Sequence, residues 1–471
     1  MFDMDTITAL GVVGASSVAR LPSYERYRPG EKLKILLVGY NGKRNTGADV
    51  RVAAMVEQFY RALGRDRIQI GILTLDVENI RVYFQPPTEL IEFSSIFFKD
   101  LLEACNRYHM AVLCEGSTLK SKFANALTLF FCEAAGVMKQ QGKPCIAYGS
   151  EAGDMDALVK KLAAWLCRDT YFIARTEPSL EIISQMGLRG HLGTDTAWPF
   201  PPGDPAWARQ EIQSKTGWDG SKPLVGIAVI NPFYWPVKPS LVRLAKAAAT
   251  RNWDHHYEKW YFFSASEERE RLYRSYIGGI ADAVELFRRE RDVHVIPIGM
   301  EALDLEPCTD LCKALGLPEH VFSSRFYDGY QLCSVLHSLG MLVTSRYHAR
   351  VLSMTGSVPS VAVSMDERLY NIFQECGHLD DYYLSTDEPD LGRKLHAALE
   401  KLWTDRERVA GEIRASVPRY LKLMADMGEF FREFVQDAFP GIELAPPPAD
   451  WKGYLPELHP GLQRILDAHP L

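Results

Sequence analysis

The chain has 471 residues, of which 53 are basic and 60 are acidic, for a net charge of −7. This length exceeds what one hydrophobic core usually organises, so the sequence predicts at least two domains. The acidic balance gives no reason to expect a nucleic-acid partner, because such proteins usually carry a basic surface.

The cysteines and the N-terminus indicate the cellular compartment in which we expect the protein. Nine cysteines are scattered through mostly apolar segments, a pattern typical of buried thiols in a reducing compartment. No apolar run reaches the length that spans a bilayer. Asp3 and Asp5 stand where a signal peptide carries basic residues. We therefore expect a cytoplasmic protein whose residues 1–30 form a flexible or docking arm.

The first half of the chain alternates apolar runs with amphipathic segments. Strands are predicted at 33–39, 68–75, 110–114, 144–148 and 171–174, and helices at about 52–63, 97–108, 123–141, 155–167 and 178–186. This alternation is typical of parallel βαβ units.

A proline-rich segment at 198–223 predicts a linker, after which the alternation restarts. Strands are predicted at 224–230, 293–298, 341–344 and 360–363, and helices at 266–289, 309–315, 330–338, 348–355, 368–376 and 404–437. The sequence thus predicts an α/β protein with two Rossmann-like domains whose parallel sheets face a central cleft. We expect an arm at 1–30, domains at 31–205 and 206–400, and a C-terminal helix and tail at 401–471.

The segment 341–355 is the strongest candidate for a functional site. An apolar strand runs directly into Ser345, Arg346 and His348, and ligands of open parallel sheets bind beyond the carboxyl ends of the strands. Arg346 offers a fixed cation and His348 a group that exchanges a proton near neutral pH. Arg350 lies four residues after Arg346 and would share its side if the helix had already begun.

Three strand ends of the first half carry further candidates. The glycine-rich loop from Gly39 to Asp49 contains Asn45 and would expose backbone N–H groups to an anion, although it is equally well explained as a simple βα turn. Glu115 follows the strand at 110–114 and could act as a base or belong to a helix cap. Arg175 follows the strand at 171–174, where Glu177 could simply hold it.

Two aromatic segments, 93–98 and 253–263, also stand out. They could bind a lipid-linked or aromatic partner, but core packing or a domain lid is the favoured interpretation.

The order of these motifs resembles that of the polysaccharide pyruvyl transferase family over roughly residues 33–400. The matching motifs are Asn45-Thr-Gly-Ala-Asp49, Glu115-Gly116-Ser117, Gly142-Lys-Pro through Gly149 to Gly153, Arg175-Thr-Glu177-Pro-Ser179, Gly193-Thr-Asp195, and Ser345-Arg346-Tyr347-His348 through Pro359 to Arg368. Members often carry an arginine after the first strand of the second half, where this chain has Lys238 and Arg243 as the nearest cations.

The resemblance implies a GT-B-like architecture, phosphoenolpyruvate as donor co-substrate, and a saccharide or glycoconjugate as acceptor. It implies no cofactor, and it maps the basic site residues of the family onto Arg346 and His348. The first domain would serve the acceptor and the second domain the donor. A lipid-linked acceptor would bring the enzyme into peripheral contact with a membrane.

A pyruvate ketal forms when the donor vinyl carbon is protonated, a hydroxyl attacks C2, phosphate leaves, and a second hydroxyl closes the ring. We expect His348 as the general acid and Asp49 or Glu115 as proton acceptors. The expected substrate-binding residues are Arg346, Arg350, Lys238, Arg243, Arg175, Asn45 and Ser345. No metal is required, because arginine can neutralise the leaving phosphate.

Two other functions are compatible with the same pattern. One is a nucleotide-sugar-dependent glycosyltransferase or sugar-nucleotide epimerase, in which the cations would hold a diphosphate. The other is a carbohydrate-binding protein without catalytic activity. The oligomeric state is left open.

Overall fold

A computed structural model describes residues 4–21, 23–94 and 96–470 of the chain. Its first half alternates helices and strands. In chain order these are α1 Met4–Val18, β1 Leu33–Asn41, α2 Thr46–Leu63, β2 Ile68–Thr74, α3 Val77–Ile80, β3 Glu89–Glu92, α4 Phe98–Arg107, β4 Met110–Leu113, α5 Asn125–Gln141, β5 Cys145–Ser150, α6 Ala157–Leu166, β6 Tyr171–Ala174, α7 Glu177–Gln185 and β7 Arg189–Leu192.

The second half repeats the alternation. Its elements are α8 Pro205–Thr216, β8 Leu224–Ala228, β9 Lys238–Pro239, α9 Leu241–Thr250, β10 His256–Glu258, β11 Tyr261–Phe262, α10 Glu267–Arg291, β12 His294–Gly299, α11 Leu305–Leu315, β13 Phe322–Ser323, α12 Gly329–His337, β14 Met341–Thr344, α13 Tyr347–Thr355, β15 Ser360–Val363, α14 Glu367–Glu375, α15 Leu379–Tyr382, β16 Tyr383–Leu384, α16 Leu391–Ala438 and α17 Pro460–Ala468.

Two parallel sheets organise these elements. The first has the order β3-β2-β1-β4-β5-β6-β7 and the second the order β13-β12-β8-β14-β15-β16. In each sheet the chain enters at a central strand, β1 or β8, and adds strands towards one edge. It then returns to the centre and adds strands towards the other edge, as in a Rossmann fold. Their central strands are apolar and buried on both faces, because helices cover both sides. The prediction of two Rossmann-like α/β domains is confirmed.

The strand order places a switch point in each sheet. In the first sheet it lies between β1 and β4, and in the second it lies between β8 and β14. The loop after β1 contacts the second domain, where the Thr46 N–H donates to the Met300 carbonyl at 2.9 Å and the Ala302 N–H donates to the Arg44 carbonyl at 3.1 Å. The carboxyl ends of both sheets therefore meet across one cleft.

A third, small sheet lies between β8 and α10. Strands β10, β11 and β9 pair antiparallel within residues 231–265, which we call the lid. The lid contacts the first domain, since the Val237 N–H donates to the Phe123 carbonyl at 3.0 Å and the hydroxyls of Tyr40 and Tyr257 lie 2.6 Å apart.

The ends of the chain pack on these domains. Helix α16 has 48 residues and begins 13 residues before the predicted helix at 404–437. It reaches the first domain, where Gln58 Nε2 donates to the Met424 carbonyl at 2.7 Å. Helix α1 packs on α4 and α5, with Val12 fully buried.

The predicted linker 198–223 contains α8, whose N-cap Asp204 accepts from the Ala206 N–H. Among the described residues, no helix combines the length and apolar composition needed to cross a bilayer.

Candidate active site between the domains

A cavity of about 190 Å³ lies between the carboxyl ends of the two sheets and under the lid. Its lining comes from both domains and from the lid: Tyr40, Asn45, Leu75, Phe93, Phe97, Glu115, Ser117, Phe123, Ala124, Ala126, Leu127, Phe130, Trp235, Val237, Tyr257, Lys259, Tyr261, Glu301, Arg346 and Arg368. The strand ends after β1, β4, β12 and β14 contribute to this lining, and so does the lid that follows β8. This is where open α/β sheets bind their ligands.

Arg346 projects into the cavity from the end of β14. It is the N-cap of α13 and keeps an extended backbone, which turns its side chain away from the helix. Its Nε donates to Asp304 Oδ2 at 2.9 Å, and its Nη2 contacts both Asp304 and Glu301, the latter at 2.8 Å. Burial would lower the pKa of Arg346, but these carboxylates raise it above its ordinary value. Arg346 is therefore a rigid, permanently charged group.

A second arginine, Arg368, lines the same wall. It lies in the first turn of α14, and its Nε donates to both carboxylate oxygens of Asp366 at 2.9 Å. Burial would raise the pKa of Asp366, but Arg368 holds it well below the ordinary value. Both cavity arginines are thus held in place by acids of their own domain through Nε and Nη2, and Nη1 lies outside these pairs.

The first domain contributes Asn45 and Glu115 to the cavity. Asn45 is the N-cap of α2, where its side chain accepts from the Ala48 N–H. Glu115 follows β4 and accepts the N–H groups of Gly116 at 2.7 Å and Ser117 at 3.4 Å. These two backbone N–H groups fix the position of the carboxylate at the cavity wall.

Asp49 lies one turn into α2, behind the cavity wall. It is buried and accepts the Gly42 N–H at 3.2 Å. Burial raises the pKa of Asp49 to about 7, and Glu115 adds to this shift. The carboxyl therefore exchanges its proton near neutral pH, although it does not line the cavity.

His348 lies at the contact between the domains rather than on the cavity wall. Its Nε2 is 3.4 Å from Asp195 Oδ2 of the first domain. Gly47, in the first turn of α2, faces the ring so closely that an added Cβ would lie 1.9 Å from His348 Nδ1. Burial lowers the pKa of His348, and Asp195 offsets this shift only in part. The imidazole is therefore mainly neutral.

Asp195 is the centre of a buried ionic network of the first domain. Arg51 Nε lies 3.2 Å from Asp195, Arg175 also pairs with it, and Arg175 Nε contacts Glu151 at 3.2 Å. Burial would raise the pKa of Asp195, but Arg51 and His348 hold it well below its ordinary value. Lys120 extends the network to the second domain, with Nζ 2.7 Å from Glu367.

Four predicted binding residues lie away from the cavity. Arg350 is fully buried and donates to Ser360 Oγ at 2.9 Å, so the prediction that it shares the side of Arg346 is wrong. The reason is that Arg346 is an extended N-cap, so helical spacing starts one residue later. Ser345 is buried beside the Tyr276 hydroxyl.

The two predicted binding residues of the lid also point elsewhere. Lys238 is exposed on β9, and Arg243 donates to the Phe263 carbonyl at 3.0 Å while stacking on the Phe262 ring. Neither contributes to the cavity lining. Of the predicted site residues, the structure therefore brings Arg346, Asn45 and Glu115 together on the cavity, with His348, Arg175 and Asp49 just behind it.

Reasoning from sequence missed several charged residues of the site. Arg51 falls on the apolar face of α2, one turn before Met55, and a charge in that position was a usable signal. Asp304 and Glu301 gave no such signal, because they approach Arg346 only through the packing of β12 beside β8. In the described part of the chain, the group suited to a metal is Glu290, His396 and Glu400, which lies on the surface apart from the cavity.

The sequence profile of the polysaccharide pyruvyl transferase family matches residues 45–367, more than half of the chain. This chain belongs to the polysaccharide pyruvyl transferase family. The match covers most strands of both sheets, from β2 to β15, and includes Asn45, Glu115, Arg346 and His348. The family is one of transferases, which gives the class of the protein. No curated protein sequence matches the chain.

Solved structures share the architecture. A putative UDP-N-acetylglucosamine 2-epimerase from Listeria monocytogenes has a TM-score of 0.51 at 11% identity, covering 88% of this chain and 100% of its own. The UDP-GlcNAc 2-epimerase from Neisseria meningitidis, bound to UDP-GlcNAc, has a TM-score of 0.51 at 8% identity, covering 86% and 99%. TcCGT1 in complex with UDP has a TM-score of 0.50 at 10% identity, covering 87% and 100%. At these identities the likeness concerns the fold alone, which is the GT-B arrangement of glycosyltransferases and epimerases.

Proposed function

We propose that this pyruvyl transferase family member moves the enolpyruvyl group of phosphoenolpyruvate onto two hydroxyls of a saccharide and forms a pyruvate ketal. The observation that carries the proposal is the polar end of the cavity. There, Arg346 and Arg368 of the second domain face Asn45 and Glu115 of the first. Cations on one side and a carboxylate on the other suit an anionic donor and a hydroxyl acceptor.

Arg346 and Arg368 would hold the donor. Their ion pairs use Nε and Nη2, so the Nη1 groups can donate to the phosphate or carboxylate of the donor. Asp304 and Asp366 fix the direction of the two guanidinium groups, which lowers the entropic cost of binding. These cations also neutralise the departing phosphate, so the proposed mechanism needs no metal and no cofactor. Arg175, under the cavity floor, would support this site rather than contact the donor.

His348 keeps its proposed role as the acid that protonates the vinyl carbon. Its Nε2 is buried, and among the described residues it faces Asp195 Oδ2 at 3.4 Å without a well-formed hydrogen bond. The ring is mainly neutral, but a bound trianion would raise its pKa and favour its protonated form. This role requires the donor to extend from Arg346 towards Gly47 at the N-terminus of α2, where the helix dipole favours an anion.

Glu115 would accept the proton of the attacking hydroxyl. It lines the cavity, and two backbone N–H groups hold it in place. Asp49 lies behind it with a pKa of about 7 and would take up protons released during turnover. The balance is complete: the acceptor loses two hydroxyl protons, the vinyl carbon gains one, and inorganic phosphate leaves with the other.

The test is to incubate the protein with phosphoenolpyruvate and a panel of saccharides and to measure phosphate release and product mass. The proposal expects phosphate only when donor and acceptor are both present, and a product heavier by one pyruvate less one water. Thermal unfolding separates the alternatives. Stabilisation by UDP or GDP but not by phosphoenolpyruvate would favour a nucleotide-sugar enzyme, and stabilisation by saccharides without turnover would favour a binding protein.

A further inference from the structure

The cavity is much more apolar than a saccharide requires. Beyond its polar end, most of the wall consists of aromatic and aliphatic side chains, and the lid adds Lys259. Phe93 stacks on Phe130 with ring centroids 5.0 Å apart, and Phe97 meets Phe130 edge-on at 5.1 Å. Sugar hydroxyls would lose their hydrogen bonds against such a surface, at a cost that a purely polar acceptor could not recover.

The strand order separates the two ends of the cavity. Glu115 and Asn45 follow β4 and β1, whereas Leu75 and Phe93 follow β2 and β3. Because the strands run β3-β2-β1-β4, the apolar wall lies towards one edge of the first sheet and the charged wall lies at its centre. A ligand that fills the cavity therefore meets charged groups at one end and rings at the other.

The lid closes the cavity with more aromatic surface. Trp235 packs edge-on against Phe123 at 5.2 Å, and Arg368 lies 5.9 Å from the same Phe123 ring. Tyr257 and Tyr261 complete the roof. Phe123 thus marks the transition from the arginine end to the apolar end.

We infer that the acceptor is a saccharide that carries an apolar substituent, held by the rings of the first domain and the lid while its sugar hydroxyls face Glu115. The inference rests on the proposed function for the position of the sugar, but not for the apolar site itself. Helix α1 borders this region, since its Asp5 accepts from Asn125 in the first turn of α5 at 3.0 Å. The same helix exposes Ile7 and Leu10, which provide apolar surface outside the cavity for a long substituent.

The test compares octyl β-glucoside with methyl β-glucoside as ligands of the full chain, without donor and below the micelle concentration, by calorimetry. Burying the additional methylenes should strengthen binding by at least about tenfold. Phenyl β-glucoside shows whether the apolar substituent is aromatic or an alkyl chain. A preference for phenyl over octyl indicates an aromatic substituent, and the reverse preference indicates an alkyl chain.

Two variants locate the site. Ala126 lines the cavity in the first turn of α5. Ala126→Phe should fill the apolar end and remove the octyl preference, whereas Ala126→Ser should keep it. Ala124→Leu, on the same wall, replaces Ala126→Phe if that variant unfolds.

Equal affinity for methyl and octyl glucoside, an unchanged preference in the filled variants, or no binding of any glucoside would each overturn the inference. Donor turnover is measured separately. If the protein prefers octyl glucoside but releases no phosphate, the proposed function is contradicted and this inference stands. If it releases phosphate but shows no preference for octyl glucoside, this inference is contradicted and the proposed function stands.

Discussion

His348 of the second domain and Asp195 of the first domain face each other, with Nε2 3.4 Å from Oδ2. Lys120 and Glu367 form a second contact of this kind at 2.7 Å. Both contacts join the first domain to the second. The candidate site is therefore built from both domains, and the surroundings of its imidazole depend on how the two domains pack.

The first prediction concerns His348. In His348→Gln, turnover should fall by about 10²–10⁴-fold, because glutamine cannot donate a proton to carbon. Thermal stability should change little, since Asp195 keeps Arg51 and Arg175 as partners. The measurement is phosphate release at saturating phosphoenolpyruvate, with His396→Gln as a surface control. Near-normal turnover in His348→Gln would remove the imidazole from the chemistry.

The second prediction concerns Arg346. Arg346→Lys keeps the positive charge but loses the guanidinium group. A lysine cannot pair with Asp304 as Arg346 does and also offer a separate N–H to the donor. The apparent affinity for phosphoenolpyruvate should fall by about tenfold or more, which is roughly 1.4 kcal/mol. Exposed Arg274, mutated to lysine, is the control. If donor affinity were the same in both variants, the donor would not bind at Arg346.

The third prediction separates acid from base. Glu115→Gln still accepts from Gly116 but cannot take a proton from a hydroxyl. We expect kcat to fall by about 10²-fold or more while phosphoenolpyruvate still raises the melting temperature. Exposed Glu78→Gln should behave as the wild type. Loss of donor binding together with kcat would instead give Glu115 a structural role.

The fourth prediction uses two glycines in helices. Gly47→Ala would bring a Cβ within 1.9 Å of His348 Nδ1, so the domains must move apart or the ring must rotate. Gly278→Ala in α10 meets no atom within 4 Å and should stabilise the protein by up to about 1 kcal/mol. We expect Gly47→Ala to lose activity and Gly278→Ala to keep it, as measured by turnover and thermal unfolding. Equal activity of the two variants would contradict the closed arrangement.

The fifth prediction is a pH dependence. The pKa of Asp49 rises on folding from 3.8 to about 7, so the native state binds the proton more tightly than the unfolded state. The contribution of Asp49 to the free energy of unfolding is therefore most favourable below about pH 4 and declines up to about pH 7, by at most roughly 1.4 kcal/mol per pKa unit. Asp49→Asn should remove this decline in denaturant titrations at several pH values. A parallel pH profile in both proteins would show that Asp49 does not titrate in this range.

The fold was largely predictable because buried parallel strands are apolar runs with clear ends. Strands β6, β14 and β15 match their predicted bounds. The edge strands β3 and β7 were missed, since they are short and carry charged residues. Helix α8 was hidden in a proline-rich segment, although Asp204 followed by Pro205 is a typical helix start.

The site was predictable only where one segment defines it. Arg346 follows a strand, and strand ends of parallel sheets converge, so its position followed from the sequence. The acids that hold it come from a different strand end, and no local pattern links them. His348 was expected beside Arg346, but its place behind the wall depends on Gly47 of the other domain.

A crystal soaked with phosphoenolpyruvate tests the central claim most directly. We predict the donor at the polar end of the cavity, with an anionic group on Nη1 of Arg346 or Arg368 and its vinyl carbon directed towards His348. A donor bound outside this cavity, or a cavity that takes up UDP and leaves phosphoenolpyruvate in solution, would contradict it.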